Sequence, residues 1–359
     1  MITVSLCMIV KNEEQVLARC LDSISSEVDE IIIMDTGSSD ETKSIARRYT
    51  NMIYDFEWID DFAAARNAAF AKANMDYILW MDADDVFEAD QLNKFAELKK
   101  SLNPDVDSVS MNYILSSDEY GNIQFKVRRN RLVKRANNFR WIGAVHEYLE
   151  VYGNTLQSDI SVTHKSLSHD GDRNLNIYEK RLARGEEFSP RDLYYFANEL
   201  FDHRMYPRAI NLYEQFLSGD KGWVEDNISS CSKLADCYHY MENYESELQS
   251  VLRSFRYSSP RPEFCCRLGY YFLQKNNVLS ATFWYKTAVQ EQSEETWFSN
   301  PTYSTWLPHL QLCVCYDRIG NHKLAYLHSE VARQYRPDDQ RILSCQQYLK
   351  SILNSNEQQ

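Results

Sequence analysis

Three things are missing from this sequence, and each removes a class of function. No run of about 18 apolar residues occurs in the 359 positions, so no segment is expected to span a membrane. Positive charge is in deficit: 39 Lys and Arg stand against 52 Asp and Glu, a net charge of −13, which argues against a nucleic-acid partner. Cys-x-x-Cys spacing is absent as well. The nine cysteines form no regular framework, Cys265-Cys266 and Cys313-Val314-Cys315 read as helix packing, and the whole pattern fits a reducing compartment. The first ten residues carry no basic leader and no small-residue cleavage site, so they read as a strand rather than a signal peptide. A cytoplasmic protein is expected. One basic stretch, Lys126 to Arg135, stands apart as either a solvated face or a phosphate contact.

What is present is ample core material, 44% apolar and 13% aromatic, in a chain long enough for two domains. The apolar run Tyr77-Ile78-Leu79-Trp80-Met81 reads as a strand buried on both faces, closed by Asp82-Ala83-Asp84-Asp85. Three carboxylates in four positions at a strand end ask for a cation, and oxygen ligands there suit Mg²⁺ or Mn²⁺ and a phosphate-bearing substrate. The alternative is an acidic turn in which Asp85 caps a helix from Phe87 to Lys100.

Upstream, Ile2 to Val10 and Glu30 to Met34 read as strands, ending in Lys11-Asn12-Glu13-Glu14 and in Asp35-Thr36-Gly37-Ser38-Ser39-Asp40. Strands and helices alternate, which predicts a parallel, doubly wound sheet with its ligand at the carboxyl ends of the strands. Arg66 and Asn67 interrupt the small-residue helix Asp61 to Ala73. A buried Arg needs a partner, so Arg66 is expected to pair with an acidic loop or to hold a ligand. Further on, His146 and Glu147 are adjacent, so in a strand only one could face a site, and both could only in a loop. Glu147 suits a general base and His146 a metal or phosphate. His164 and His169 follow a further alternating run, His164 being the better metal candidate.

The ordered set Lys-Asn-Glu-Glu, Asp-Thr-Gly-Ser-Ser-Asp-Glu-Thr, Phe-Ala-Ala-Ala-Arg-Asn, Trp-Met-Asp-Ala-Asp-Asp and Gly-Ala-Val-His-Glu resembles the family 2 inverting glycosyltransferases of the GT-A fold, across roughly residues 1 to 170. The resemblance implies an α/β GT-A domain, a UDP-sugar donor and a divalent cation, Mg or Mn. It places Val10 and Glu13 at the nucleoside and Asp35 at uracil or ribose. It also sets Arg66 and Asn67 near the nucleotide, Asp82 near the ribose and Asp84 on the metal, with Glu147 or His146 as base. Asn137-Asn138-Phe139-Arg140-Trp141 is similar to the Gln-x-x-Arg-Trp motif of the membrane-embedded branch but has Asn for Gln. The Val-His-Glu element with a helical tail looks more like the subgroup holding the peptide S-glycosyltransferases of sublancin-type bacteriocin biosynthesis.

After Asn174 strand alternation stops. Phe196-Ala197-x-x-Leu200, Leu234-Ala235-x-x-Tyr238, Leu268-Gly269-x-x-Phe272 and Leu312-Cys313-x-x-Tyr316 recur near the ~34-residue spacing of helix-turn-helix repeats. Thirteen residues after each start stand Ala209, Glu247, Ala281 and Ala325, so the set looks like degenerate tetratricopeptide repeats with Glu247 breaking the small-residue rule. Stacked helix pairs offer a groove for an acceptor peptide or a second subunit, with a homodimer as one outcome, or a buttress for the first domain. The segment Trp297 to Trp306 reads as a loop that joins such a contact. The expected organisation is a GT-A domain over 1–172 and an all-α repeat domain over 173–359. The expected activity is metal-dependent transfer of a hexose or N-acetylhexosamine from a UDP-sugar to a peptide Cys or Ser. A transferase acting on a lipid-linked or surface glycan and a non-catalytic scaffold are the rivals.

Overall fold

A computed structural model describes residues 1–117, 123–167, 171–290 and 300–356, in two compact units, Met1–Phe188 and Ser189–Gln359. His169 and the first part of the Trp297 to Trp306 segment lie outside the described residues. The expected division at 172/173 falls earlier in the chain than the observed one. The reason is a helix that opens at Arg173 and belongs to the first unit.

The strands of the first unit are β1 (Val4–Val10), β2 (Glu30–Asp35), β3 (Ile53–Asp55), β4 (Tyr77–Trp80), β5 (Asp85–Val86), β6 (Ser108–Ser117), β7 (Ile123–Lys134), β8 (Arg140–Ile142), β9 (Tyr148–Glu150) and β10 (Thr155–His164). Its helices are α1 (Leu17–Asp22), α2 (Thr42–Ala46), α3 (Phe62–Phe70), α4 (Ala89–Ser101) and α5 (Arg173–Ala183). The large sheet runs β3-β2-β1-β4-β7-β6-β10-β5, and β8 pairs with β9 separately. Only the β3-β2-β1-β4 half is wholly parallel. β7 runs antiparallel to both β4 and β6, so the sheet is mixed rather than doubly wound throughout. The cause is local: only five residues separate β6 from β7, too few for a crossover connection, and strands that close in sequence pair antiparallel.

β1, β2 and β4 are apolar on both faces because sheet neighbours and helices cover them, and their parallel register brings the ends of all three to one edge. Asp61 caps α3 by accepting from Ala64 N at 2.9 Å, and buried Ala63, Ala65 and Ala69 let that helix lie close to the sheet. Asp85 does not cap α4, whose N-cap is Glu88. It is a fully buried strand residue, paired through Oδ2 with the equally buried Arg131 at 2.7 Å. β5 in turn runs antiparallel to β10, with Asp85 opposite His164. The basic stretch is therefore only partly a solvated face. Arg131 points into the core between the Trp80 and Tyr113 rings, and Arg128 donates to the carbonyls of Ser110 and Ser158.

The second unit is a stack of helix pairs: α6 (Pro190–Asp202) with α7 (Tyr206–Ser218), α8 (Val224–Tyr240) with α9 (Tyr244–Arg253), α10 (Pro262–Gln274) with α11 (Val278–Gln290), and α12 (Trp306–Arg318) with α13 (His322–Tyr335). α14 (Gln340–Asn356) packs on α13. Every repeat start falls on the first helix of its pair and every position thirteen residues later on the second. Ala209, Ala281 and Ala325 are fully buried there, while Glu247 accepts its partners His239 and Arg267. Gly269 is small for contact reasons, since a Cβ on it would sit 2.7 Å from the Tyr285 ring. A regularity not anticipated from the sequence marks the turns. Arg204, Glu242, Asn276 and Gly320, at equivalent places in the four pairs, all have positive φ. The next residue then donates its N–H back to Leu200, Tyr238, Phe272 or Tyr316, closing each first helix in the same left-handed way.

Candidate active site

A cavity of about 390 Å³ opens at the carboxyl edge of β1 and β4. Val10 and Glu13 line it after β1, Arg66 comes from α3, Asp82 and Asp84 follow β4, and His164 ends β10. His146 and Glu147 both reach it because they lie in a loop, not a strand: Gly143 has φ 99° and His146 φ 51°, which turns the two neighbours to the same side. Asp35 and Asn67 stand outside it. Asp35 is fully buried, its Oδ1 holding the N–H groups of Gly37 and Ser38 at 3.0 and 2.9 Å, while its Oδ2 has no hydrogen-bond partner. Asn67 exchanges two hydrogen bonds of 2.9 Å with the backbone of Trp141, so its amide pins β8 to α3 rather than facing a ligand.

Arg66 is buried, as a small-residue helix against a sheet requires, and finds two carboxylates. Its Nε donates to Glu147 Oε1 at 2.5 Å and its Nη2 to Asp82 Oδ1 at 2.6 Å. The guanidinium also lies 5.1 and 4.7 Å from the ring centroids of Trp80 and Trp141. Burial works against the Asp82 carboxylate, but Arg66, then Arg131 and His164, outweigh it and hold Asp82 below the usual carboxylate range.

Asp84, Asp85 and His164 each offer a ligand atom, and these atoms lie within 4.8 Å of one another. His164 Nδ1 is 3.5 Å from Asp84, 3.8 Å from Asp85 and 3.0 Å from the Tyr113 hydroxyl. The two carboxylates lift the imidazole to about 10. Asp85 Oδ1 is buried without a hydrogen-bond partner. Glu13 is raised to about 7, first by burial and then by repulsion from Asp84, with Arg173 opposing. An orphaned carboxylate oxygen, an imidazole raised by two carboxylates and a neighbouring acid raised by burial and then by Asp84 fit a divalent cation.

A second cavity of about 270 Å³ shares Arg66, Asp82, His146 and Glu147 with the first, and is otherwise walled by Trp80, Tyr113, Trp141, Tyr148 and Leu149 and by Arg128, Arg129 and Asn130 of the basic stretch. Glu147 is thus one of four residues, with Arg66, Asp82 and His146, that stand where the two cavities meet. Several residues of the site were not anticipated. For Asp85 the sequence leaves a cation-binding carboxylate and a helix cap both open, because strand β5 is only two residues long, and Arg131 stands within a basic run. Arg173 and Asn174, at the start of α5, line the first cavity and carry no local motif.

Residues 5–148 match the family model described as Glycosyl transferase family 2. A domain of glycosyl transferase family 2 pattern thus occupies residues 5–148, and a unit of paired helices follows it. Among curated relatives, a TPR repeat-containing protein of Synechococcus elongatus is 36% identical over 150 residues, covering 42% of this chain and 36% of that protein. The SPbeta prophage-derived glycosyltransferase SunS of Bacillus subtilis is 27% identical over 265 residues, covering 67% of this chain and 60% of SunS. This chain thus spans between about a third and three fifths of the length of these relatives. Among solved structures, S. aureus TarS 1–349 is similar at 13% identity with a TM-score of 0.39, covering 71% of this chain and 91% of that one. Among the described residues no helix is long and apolar enough to cross a membrane.

Proposed function

We propose that this chain is a metal-dependent inverting glycosyltransferase that moves a hexose or N-acetylhexosamine from a UDP-sugar to a Cys or Ser side chain of a peptide. The observation that carries the reading is the meeting of two cavities at Glu147, one beside the cation-fitting group and one on its far side. The first cavity takes the donor, with Val10 and Glu13 toward the nucleoside and Asp82 toward the ribose. Asp35, outside the cavity, acts by holding the Gly37–Ser38 turn. Asp84, Asp85 and His164 would hold Mg²⁺ or Mn²⁺, which supplies Lewis-acid neutralisation of the departing diphosphate.

Glu147 Oε1 is engaged by Arg66, and on this reading Oε2 takes the proton of the acceptor S–H or O–H. The acceptor's freed electron pair attacks the anomeric carbon from the second cavity. The bond from that carbon to the diphosphate oxygen breaks, and its electrons leave with UDP. Attack from the face opposite the leaving group inverts the anomeric centre.

The helical unit, on this reading, contacts the acceptor protein and a second copy of the chain, and nine cysteines with no disulfide among the described residues support a reducing, cytoplasmic setting. The test is incubation with UDP-glucose or UDP-N-acetylglucosamine and Mn²⁺ or Mg²⁺, followed by mass analysis of Cys and Ser peptides and of glycans. A mass gain of one sugar on peptide is expected. Failure to bind UDP or to cleave any UDP-sugar sinks the reading, and transfer to glycans alone replaces its acceptor.

A further inference from the structure

The double ion pair of Arg66 carries a role that a donor-binding assignment misses. An Arg that served the diphosphate would present its fork to the cavity. Here Nε and Nη2 are already committed, to Glu147 at 2.5 Å and to Asp82 at 2.6 Å. The side chain is about 10% exposed, and Glu147's about 11%, so this charge pair lies in a largely desolvated place where geometry matters most. Trp80 and Trp141 flank the guanidinium, and Asn67 locks Trp141 by its paired backbone bonds. Helix, aromatic pair and amide clamp therefore leave Arg66 little freedom. Glu147 has the opposite situation: it sits in a loop whose preceding residue holds a left-handed backbone, with no strand ladder to fix it.

We infer that Arg66 is a positioning residue that fixes the rotamer of Glu147, turning its second carboxylate oxygen toward the meeting point of the two cavities. The inference rests on the proposal that Glu147 is the base. Through its second bond, to Asp82, the same guanidinium ties the base to the donor side of the site. The neighbouring Asn67 is then part of the same support, holding one of the two tryptophans rather than touching the nucleotide. Lys could keep the charge but not both bonds, since an ammonium is a point donor without the planar fork.

A double-mutant cycle on the full-length chain tests this, reading hydrolysis of UDP-glucose and of UDP-N-acetylglucosamine with Mn²⁺, where water is the acceptor, together with UDP binding by calorimetry. Glu147→Gln is expected to lower kcat by about 10²-fold. Arg66→Gln should lower kcat by at least about tenfold in the wild-type background and by less than about twofold when Glu147 is already Gln, because residues acting as a unit are not additive. Arg66→Lys should recover part of kcat, and UDP affinity should stay within about twofold in both Arg66 variants. Independent, multiplying losses overturn the inference, as does a tenfold loss of UDP affinity, which would return Arg66 to the donor. The affinity arm needs no turnover, and Arg66→Lys serves if Arg66→Gln does not fold. A Glu147→Gln variant with wild-type kcat is a different failure, that of the base assignment itself.

Discussion

The two units bury charge in different ways. In the helical unit, partners lie about one repeat apart: Glu225 with Arg261 at a separation of 36 residues, Glu214 with Arg253 at 39, and Asp236 with Arg267 at 31. Each pair joins neighbouring helix pairs, as expected of a solenoid whose stability is a sum of nearest-neighbour terms. In the α/β unit, Arg66 reaches Asp82 and Glu147 across 16 and 81 residues, and Arg131 reaches Asp85 across 46. These pairs converge on one sheet edge. Charge in the first unit is concentrated where chemistry is proposed, and charge in the second is spread along the stack as fastening.

The largest expected effect tests the concentrated side. Asp84→Ala, removing a proposed metal ligand, should lower UDP-sugar cleavage by about 100-fold or more, with stability little changed. Unchanged metal-dependent turnover would sever the cluster from the chemistry. Next comes Arg131→Met, which leaves the buried Asp85 carboxyl without its partner. It should cost about 3–5 kcal/mol in chemical denaturation. A loss under 1 kcal/mol would mean that the Arg131–Asp85 pair does not fasten this part of the core.

Smaller effects probe the distributed side. Gly269→Ala must push a methyl into the Tyr285 ring, and overpacking of this kind costs about 1–3 kcal/mol. The change should lower the thermal midpoint of the helical unit without altering UDP binding. Acid is a gentler probe. His309 and His328 face each other at 2.8 Å, and burial lowers both, His328 to about 4 with His309 and Lys286 adding repulsion. The folded pair stays neutral while an unfolded imidazole binds a proton below about 6.5. The pair's contribution is therefore complete above pH 6.5 and is lost as pH falls toward 4. His328→Gln should flatten that limb of a denaturation midpoint against pH, and an unaltered limb would assign it elsewhere. Smallest of all, Glu247→Ala should change stability by about 0–1 kcal/mol, because its partners are partly exposed.

Much of the site was legible because it sits at strand ends. Apolar runs closing on Asp35 and on Asp82-Ala83-Asp84 announce themselves in one dimension, and so do helix pairs with Ala at fixed offsets. The turn residues Arg204, Glu242 and Asn276 escaped notice because three different side chains share one backbone conformation, and only φ reveals the equivalence. Asp85 stands in the same acidic run as Asp82 and Asp84, but its burial as a strand residue is not legible there for another reason. A two-residue strand has no periodicity to read, so its burial is decided by Arg131 and His164, both distant in sequence.

Order, residue type and spacing by themselves determined that an α/β unit of transferase pattern precedes a stack of helix pairs, and that carboxylates gather after β4. Those are local consequences of hydrophobic periodicity and of the cost of charge beside a core. Only the tertiary structure decided that half the sheet turns antiparallel, that Asn67 clamps a backbone, and that Arg66 grips Asp82 and Glu147 together. These depend on which strand ends meet at one edge, and that is settled by packing across long sequence separations.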